Sequence, residues 1–191
     1  MSRFSTRAPE PAAPPSTPTT GVRGALDSIV QSSLVELFAA YGMAVAPLPR
    51  AASHRVPTIP DVSSTVAFTR RGVVGSGRIT LSLPSAVLEL TKSAGSGALQ
   101  GDWARELANQ LLGRIKNRLL QFSVRLEAGI SSSIDSRTLA AQLPRSSSTL
   151  VYTGRTLRGE ILVTLEGAPD ESQLIYLGPV NVAAEGEAIL F

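Results

Sequence analysis

Apolar residues recur at helical spacing in two stretches of the chain. In the first, from Val22 to Tyr41, Gly42 follows where a helix would end, and one stripe carries Leu26, Ile29, Val30, Leu34, Leu37, Phe38 and Tyr41. The second stretch, "GDWARELANQLLGRIKNRLLQF" (residues 101–122), begins with Asp102, placed as a cap or first-turn acid. Its apolar stripe consists of Ala104, Ala108, Leu111, Ile115 and Phe122. Both stretches are predicted to be amphipathic helices with one face in the core.

Alternating apolar and polar residues predict two hairpins. The first joins "SSTVAFTR" to "GRITLSL", and the glycines between them suit its turn: Gly72, Gly75 and Gly77. The second joins "TLVYTG" to "RGEILVTLEG". Phe68-Thr69 followed by 77–83 resembles Tyr152-Thr153 followed by 159–165, a weak repeat signal that two generic hairpins would also produce. "FSVRLEAG" predicts another strand, and "QLIYLGPVNVAAEGEAILF" predicts one or two more.

The remaining segments complete the expected domain. "SLPSAVLELTKS" predicts a short helix with Pro84 in its first turn and Ser82 or Ser85 near its cap, and "SSSIDSRTLAAQLPRSSS" is expected to be a loop. Residues 1–21 are rich in Pro, Ser and Thr and are expected to be a disordered tail. We therefore predict one domain over residues 22–191, of α/β (α+β) class, with an antiparallel hairpin sheet packed against long helices.

Composition excludes several kinds of chemistry. The 191 residues contain no cysteine, so thiolate catalysis, disulfides and cysteine metal sites are excluded. The single histidine, His54, lies in a Pro-rich stretch and is expected to be solvated rather than catalytic. The net charge of +3 comes from scattered arginines, which argues weakly against nucleic acid. Because neither an apolar run of membrane-spanning length nor a signal peptide is present, we expect a cytoplasmic protein with no membrane partner.

The polar side of the second helix carries an unusual set of residues. It brings together Asp102, Glu106, Asn109, Gly113, Lys116 and Asn117. A glycine inside an exposed helix costs about 1 kcal/mol relative to alanine, and close approach of another backbone would compensate for that cost. Glu and Asn on a solvated helix face most often serve only solubility, so this simpler interpretation stays open, as it does for Lys116 and Asn117.

Glu106-Leu-Ala-Asn109 followed by Gly113 resembles the E-x-x-N helix of the CheX-like chemotaxis phosphatases, members of the CheC/CheX superfamily. The motif alone is very weak. The order of elements from about Val22 to Leu165 also resembles that of the family: a helix, a strand, a hairpin, a helix, the motif helix and a later hairpin. Relatives with two pseudo-repeated halves carry two such motifs, whereas this chain shows one, as in the CheX-like branch.

This resemblance implies a site and a partner. The family's substrate is the phosphoryl-aspartate of a CheY-like receiver domain, which brings its own Mg²⁺ and lysine, so the chain itself needs no cofactor or metal. Asn109 would position the attacking water, and Glu106 would pair with the receiver's lysine. Gly113 would let the two backbones approach. Further partner contacts would come from Asp102, Arg105, Lys116 and Asn117, while Arg105 and Arg114 could either steer an acidic receiver or crowd the docking surface.

Other functions and assemblies stay open. Some family members keep the fold while acting as non-catalytic binding modules in chemotaxis, flagellar-switch or two-component signalling assemblies. A nucleic-acid binder survives only on the pI of about 9.8. The single-motif branch implies a homodimer in which strands of two protomers complete the sheets, whereas a strand formed by the C-terminal "EAILF" could cover the sheet edge and leave a monomer.

Overall fold

The computed structural model describes residues 24–49, 58–72, 75–92, 99–143 and 149–179. The predicted tail at 1–21, His54 and the C-terminal residues 180–191 lie outside the described residues. The helices of the described chain are α1 (Ala25–Ala39), α2 (Ser85–Thr91), α3 (Gln100–Leu119) and α4 (Ser136–Gln142). Its strands are β1 (Ala46–Pro47), β2 (Val62–Arg70), β3 (Ser76–Leu83), β4 (Leu126–Ser133), β5 (Leu150–Thr156) and β6 (Gly159–Glu166).

All of these strands form one antiparallel sheet, in the order β1-β5-β6-β3-β2-β4. The two predicted hairpins are confirmed as β2–β3 and β5–β6, and the second is closed by the short turn between Thr156 and Gly159. Short helical turns at Leu120–Phe122 and Glu171–Gln173 follow α3 and β6. The predicted α+β class with hairpin strands is therefore confirmed.

The two hairpins meet along β3 and β6, at the centre of the sheet. Leu81 pairs with Val163, and these are equivalent positions in the repeat of 77–83 and 159–165, as a local twofold axis would require. The likeness does not extend to the outer strands. Phe68 lies opposite Gly77, whereas Tyr152 lies opposite Val163, because the second turn is much tighter than the first. The two halves of the sequence repeat therefore occupy equivalent positions in the sheet only in β3 and β6.

Gly77, predicted both to begin the strand "GRITLSL" and to suit the hairpin turn, lies inside β3. A Cβ atom at this position would lie 2.2 Å from Cζ of Phe68 and 2.5 Å from the carbonyl oxygen of Glu166. Glycine is needed here because the Phe68 ring crosses the strand at a point where no side chain fits.

One face of the sheet packs against α1 and α3, and this layer contains the core. The two helices run antiparallel: Glu36 of α1 is ion-paired with Arg118 of α3, while Tyr41, just beyond α1, reaches Gln110. The predicted stripe of α1 is buried except for Tyr41, which lies beyond the helix and is partly buried. Helix α3 buries Ala104, Leu107, Ala108, Leu111, Leu112, Ile115 and Leu119. Phe122, predicted to continue this stripe, lies in the turn after α3 and is only partly buried, since the helix ends before reaching it.

The opposite face of the sheet is lined with small hydroxyl side chains. Thr65 lies opposite Thr80 and Ser63 opposite Ser82, and each pair is hydrogen-bonded across the strands, at 3.2 Å and 2.8 Å. All four are buried. Cross-strand hydroxyl pairs satisfy each other, and beside them Leu162, opposite Ser82, is buried on the same face.

Helix α4 replaces part of the loop predicted over residues 131–148. The Asp135 side chain accepts hydrogen bonds from the backbone N–H groups of Arg137 and Thr138 and so caps the helix. The Thr138 hydroxyl and these N–H groups hold the pKa of Asp135 below its ordinary value. The prediction was wrong because this segment lacks an apolar stripe: it buries only Leu139, and its helix depends on the cap. Residues 144–148 lie outside the described residues.

The C-terminal segment (residues 168–179) contains no strand, contrary to the prediction for the part from Gln173 onward. It crosses instead from β6 to the paired ends of α1 and α3. Glu171 accepts a hydrogen bond from the backbone N–H of Gly24 (3.0 Å), and the N–H of Leu177 donates to the carbonyl of Gln121 (2.7 Å). Leu174 is buried in the main core, which explains why an apolar segment lies here and not at a sheet edge.

None of the helices in the described ranges is both long and apolar enough to cross a membrane.

Burial of Leu174 is expected to tie the C-terminal segment to the stability of the whole fold. Leu174→Ala should lower the free energy of unfolding by about 2–4 kcal/mol, because it removes buried apolar surface and leaves a cavity. Ile175→Ala is the matched control: its side chain is 66% exposed, and its effect should stay within about 0.5 kcal/mol. Urea denaturation of both variants measures the difference, and equal effects would mean that the segment does not close the core.

Candidate functional site

Glu106 and Asn109 lie side by side on the outward face of α3. Both side chains are exposed, while the intervening Leu107 and Ala108 are completely buried. This contrast follows from the helix period, since packing of one side of α3 against the sheet and α1 turns the positions at i and i+3 of the other side outward together. The structure thus brings together the two residues that the sequence singled out as catalytic.

Asn109 borders the edge strand β4. Its Nδ2 donates to the hydroxyl of Ser131 across a long distance of 3.4 Å. Ser131 pairs with Val66, a core residue, and therefore faces the helices. A β-bulge lies directly beside it, where Ser131 opposes Val66 but Ala128 opposes Phe68. A bulge changes the direction in which side chains point. Because of this one, Ser131 does not continue the alternation of side chains between the two sheet faces that the first half of β4 follows.

Glu106 is held by a chain of hydrogen bonds on the flank of α3 that faces α1. Gln110, one turn further along α3, donates from Nε2 to Oε1 of Glu106 at 2.9 Å. The Oε1 atom of Gln110 in turn accepts from the hydroxyl of Tyr41 at 2.8 Å. The carboxylate is therefore linked, through one amide, to the chain segment that follows α1.

Tyr41 is anchored by a second aromatic residue. Its ring meets that of Trp103 edge to face, with the centroids 5.8 Å apart. Nε1 of Trp103 donates to the hydroxyl of Thr91 at 2.8 Å, and this hydroxyl donates to the carbonyl of Leu88 at 2.7 Å. Trp103 is thus an aromatic residue at the edge of the core, and it connects the site to α2.

The first turn of α3 carries an ion pair. The guanidinium of Arg105 donates to the carboxylate of Asp102 three residues earlier. Asp102 is a first-turn acid, as predicted, but not the cap: the cap position is Leu99, which makes no side-chain capping bond. Because Arg105 is engaged with Asp102, its charge is partly compensated before any partner arrives. Both side chains stay partly accessible, at 40% and 52% exposure.

Gly113, Lys116 and Asn117 extend the same side of α3 towards its end. No atom outside the helix backbone lies within 4 Å of a Cβ placed at Gly113, so nothing within the described chain requires glycine there. Lys116 and Asn117 are partly buried, as is Arg114. From Asp102 to Lys116 the helix rises about 21 Å, so a partner that touched all the predicted contacts would need to cover most of α3.

The sequence did not point to Tyr41, Gln110 or Ser131 as parts of the site. Gln110 could have been found, since it lies four residues after Glu106, within reach of a helical side-chain hydrogen bond. Tyr41 was assigned to the core stripe of α1, and Ser131 to a predicted loop. Tyr41 and Ser131 lie near Glu106 and Asn109 because of how α1 and β4 pack beside α3. Packing between elements leaves no signal in the order of residues within one segment.

The arrangement offers a carboxylate and an amide on a flat, exposed helix face. A carboxylate accepts hydrogen bonds from a cation, and an amide both accepts and donates. Within the described ranges, no group of three or more His, Asp or Glu side chains could hold a metal ion.

The sequence matches no family model and no curated protein. Solved structures do match. The chain is similar to the chemotaxis protein CheX from Desulfovibrio desulfuricans, at 15% identity over 74% of this chain and 97% of that one, with a TM-score of 0.59. A CheC-like superfamily protein from Shewanella sp. PV-4 matches at 15% identity over 73% and 95%, with a TM-score of 0.56.

A third structure is that of the CheX–CheY–BeF3–Mg²⁺ complex from Borrelia burgdorferi. This chain matches it at 11% identity over 76% of its own length and 97% of the other chain, with a TM-score of 0.50. These identities are low, and what the three structures share with this chain is the arrangement of helices and strands over nearly their whole length. The chain therefore has the fold of the CheX and CheC-like chemotaxis proteins.

Proposed function

We propose that this protein is a CheX-like phosphatase that removes the phosphoryl group from the active-site aspartate of a CheY-like receiver domain, in chemotaxis or two-component signalling in the bacterial cytoplasm. The observation that carries the proposal is the pair of exposed side chains, Glu106 and Asn109, on the outward face of α3. The CheX–CheY complex among the matching structures supports a receiver as partner.

The proposed reaction needs little from this chain beyond orientation. A water oxygen attacks phosphorus, the bond between phosphorus and the aspartate oxygen breaks, and the products are the free carboxylate, inorganic phosphate and a proton. The receiver supplies Mg²⁺ and a lysine, which neutralise the phosphoryl oxygens. The amide of Asn109 accepts a hydrogen bond from the water and so aligns it with phosphorus.

Glu106 has a separate task in this mechanism. Its carboxylate pairs with the receiver's lysine and thereby sets the position of α3 over the acidic pocket. Because the pair forms across an interface, it contributes mainly to complex formation and not to the chemical step. Because the two residues are three positions apart on one helix, both side chains reach the receiver when that helix binds.

Asn109→Ala is expected to abolish most of the acceleration, about a hundredfold in the dephosphorylation rate at saturating receiver, while leaving the fold intact, because alignment of the water is lost. The measurement is release of inorganic phosphate from a panel of receiver domains phosphorylated by acetyl phosphate. Gln31→Ala, which removes an amide from α1 outside the site, is the control. A wild-type rate in Asn109→Ala would refute the mechanism, and tight binding by a wild-type protein with no dephosphorylation would favour the non-catalytic binding module.

Gly113→Ala is expected to change stability and binding in opposite directions. Since no atom crowds this position, alanine should stabilise the free protein by about 0.5–1 kcal/mol through its better helix propensity. If another backbone approaches here, the added methyl should weaken receiver binding about tenfold. Thermal denaturation and fluorescence titration test the two effects. A stabilised variant with unchanged affinity would show that the glycine has no role in docking.

A homodimer stays a prediction, and the edge strand β4 supports it. β4 lies at one end of the sheet, and its Ile130 side chain is 88% exposed. Pairing of such an edge with a second copy would satisfy the backbone groups on the side of β4 where no other described strand lies. Light scattering at micromolar concentration should then report about twice the chain mass of 20.0 kDa, and a mass near that of a single chain would refute the dimer.

A further inference from the structure

We propose that Tyr41 and Gln110 are positioning residues that hold the Glu106 carboxylate in place for a basic group on the partner protein. The proposal rests on the proposed function of the Glu106 and Asn109 face and assigns it two further residues. Neither is expected to touch the reacting atoms. They would act through Glu106, from the side of α3 that faces α1.

The direction of the hydrogen bonds supports this role. An amide can rotate by half a turn and exchange its oxygen and nitrogen. In Gln110, Oε1 accepts from the hydroxyl of Tyr41 and Nε2 donates to Glu106. The reversed amide would place an oxygen against the carboxylate oxygen, which is repulsive, so the carboxylate itself selects this orientation. Tyr41 donates to the amide oxygen and thereby keeps the side chain of Gln110 beside Glu106.

Tyr41 itself is held from two directions. Its backbone N–H donates to the carbonyl of Phe38 at 3.0 Å, and its ring packs edge to face on Trp103. Trp103 is tied through Thr91 to the end of α2. The hydroxyl of Tyr41 is therefore presented by a ring that packs against the core, although the carboxylate that it orders is at the surface.

This ordering has a consequence for binding. A free glutamate side chain has several rotatable bonds, and fixing them when a partner binds costs conformational entropy. Gln110 occupies Oε1 of Glu106, and within the described residues no hydrogen bond to Oε2 is found. A carboxylate with one oxygen held and the other accessible is prepared to receive an ammonium group before the partner arrives.

The chain offers a close internal control. Gln100 donates to Glu89 at 2.9 Å, the same length as the bond from Gln110 to Glu106, and both pairs are exposed. Hydrogen bonds from the side chains of Gln100 and Lys92 hold the pKa of Glu89 below its ordinary value. Gln100→Met therefore removes a bond of the same kind next to α2 without touching the Glu106 carboxylate.

The first test separates binding from chemistry. Tyr41→Phe keeps the ring contact with Trp103 and removes only the hydroxyl, and Gln110→Met keeps the side-chain length and removes both hydrogen bonds. The binding partner is the receiver of the panel that the wild-type protein dephosphorylates, loaded with beryllofluoride and Mg²⁺. Each variant should raise the Kd for this receiver by about two- to tenfold. The dephosphorylation rate at saturating receiver should stay at the wild-type value, and Gln100→Met should leave both quantities unchanged.

The second test uses the free protein and needs no receiver. Glu106→Gln should shift the side-chain amide NMR signals of Gln110, and this shift should become much smaller in a Tyr41→Phe background, because the amide no longer points steadily at position 106. If Glu106→Gln shifts the Gln110 amide signals equally with and without Tyr41→Phe, the proposal is overturned. An unchanged Kd in Tyr41→Phe and Gln110→Met when Glu106→Ala weakens binding would also overturn it.

Failure of the proposed function has a different signature. In that case the wild-type protein neither binds nor dephosphorylates any receiver of the panel, and Asn109→Ala and Glu106→Ala change nothing. That result overturns the role proposed for Tyr41 and Gln110 together with the function. The NMR coupling between Tyr41, Gln110 and position 106 would then describe a surface hydrogen-bond chain only.

Discussion

Helix α3 packs beside α1 on one face of the sheet, and its position depends on burying seven apolar side chains along a single side. At about 25 cal/mol per Å² of apolar surface, a stripe of this kind outweighs any interaction on the helix exterior. The rotation of α3 about its own axis is therefore set by the core. Everything that the exposed side presents, including Glu106 and Asn109, follows from that rotation.

The neighbours of α3 then determine the environment of each exposed residue. On one flank, α1 ends at Ala39 and delivers Tyr41 to Gln110 and Trp103. On the other flank, β4 runs along the helix and brings Ser131 to Asn109. The side chains of Glu106 and Asn109 are thus held by different elements, a helix end and an edge strand, and a change in one flank need not disturb the other.

The division of tasks proposed for the site agrees with this arrangement. The carboxylate, which would set the docking position, is tied to the rigid core through Gln110 and Tyr41. The amide, which would align a small and mobile water, makes one long hydrogen bond within the described ranges, at 3.4 Å, and can adjust when a partner arrives. If the amide were already fixed by strong internal hydrogen bonds, its donor and acceptor atoms could not form the hydrogen bonds that the complex requires.

The amino-acid sequence by itself determined the amphipathic helices, both hairpins, the fold class and the shared exposed face of Glu106 and Asn109. These features depend on periodicity within single segments, where burial of one face is readable from the order of residues. It failed at α4, at the short extended segment after β6, and at Gly77 inside β3. There the outcome depends on a capping carboxylate, on a core gap filled by Leu174 and on the ring of Phe68. Only the tertiary structure decided that Tyr41 and Ser131 adjoin the site, because residues distant in the chain come together through packing between elements, which no local pattern records.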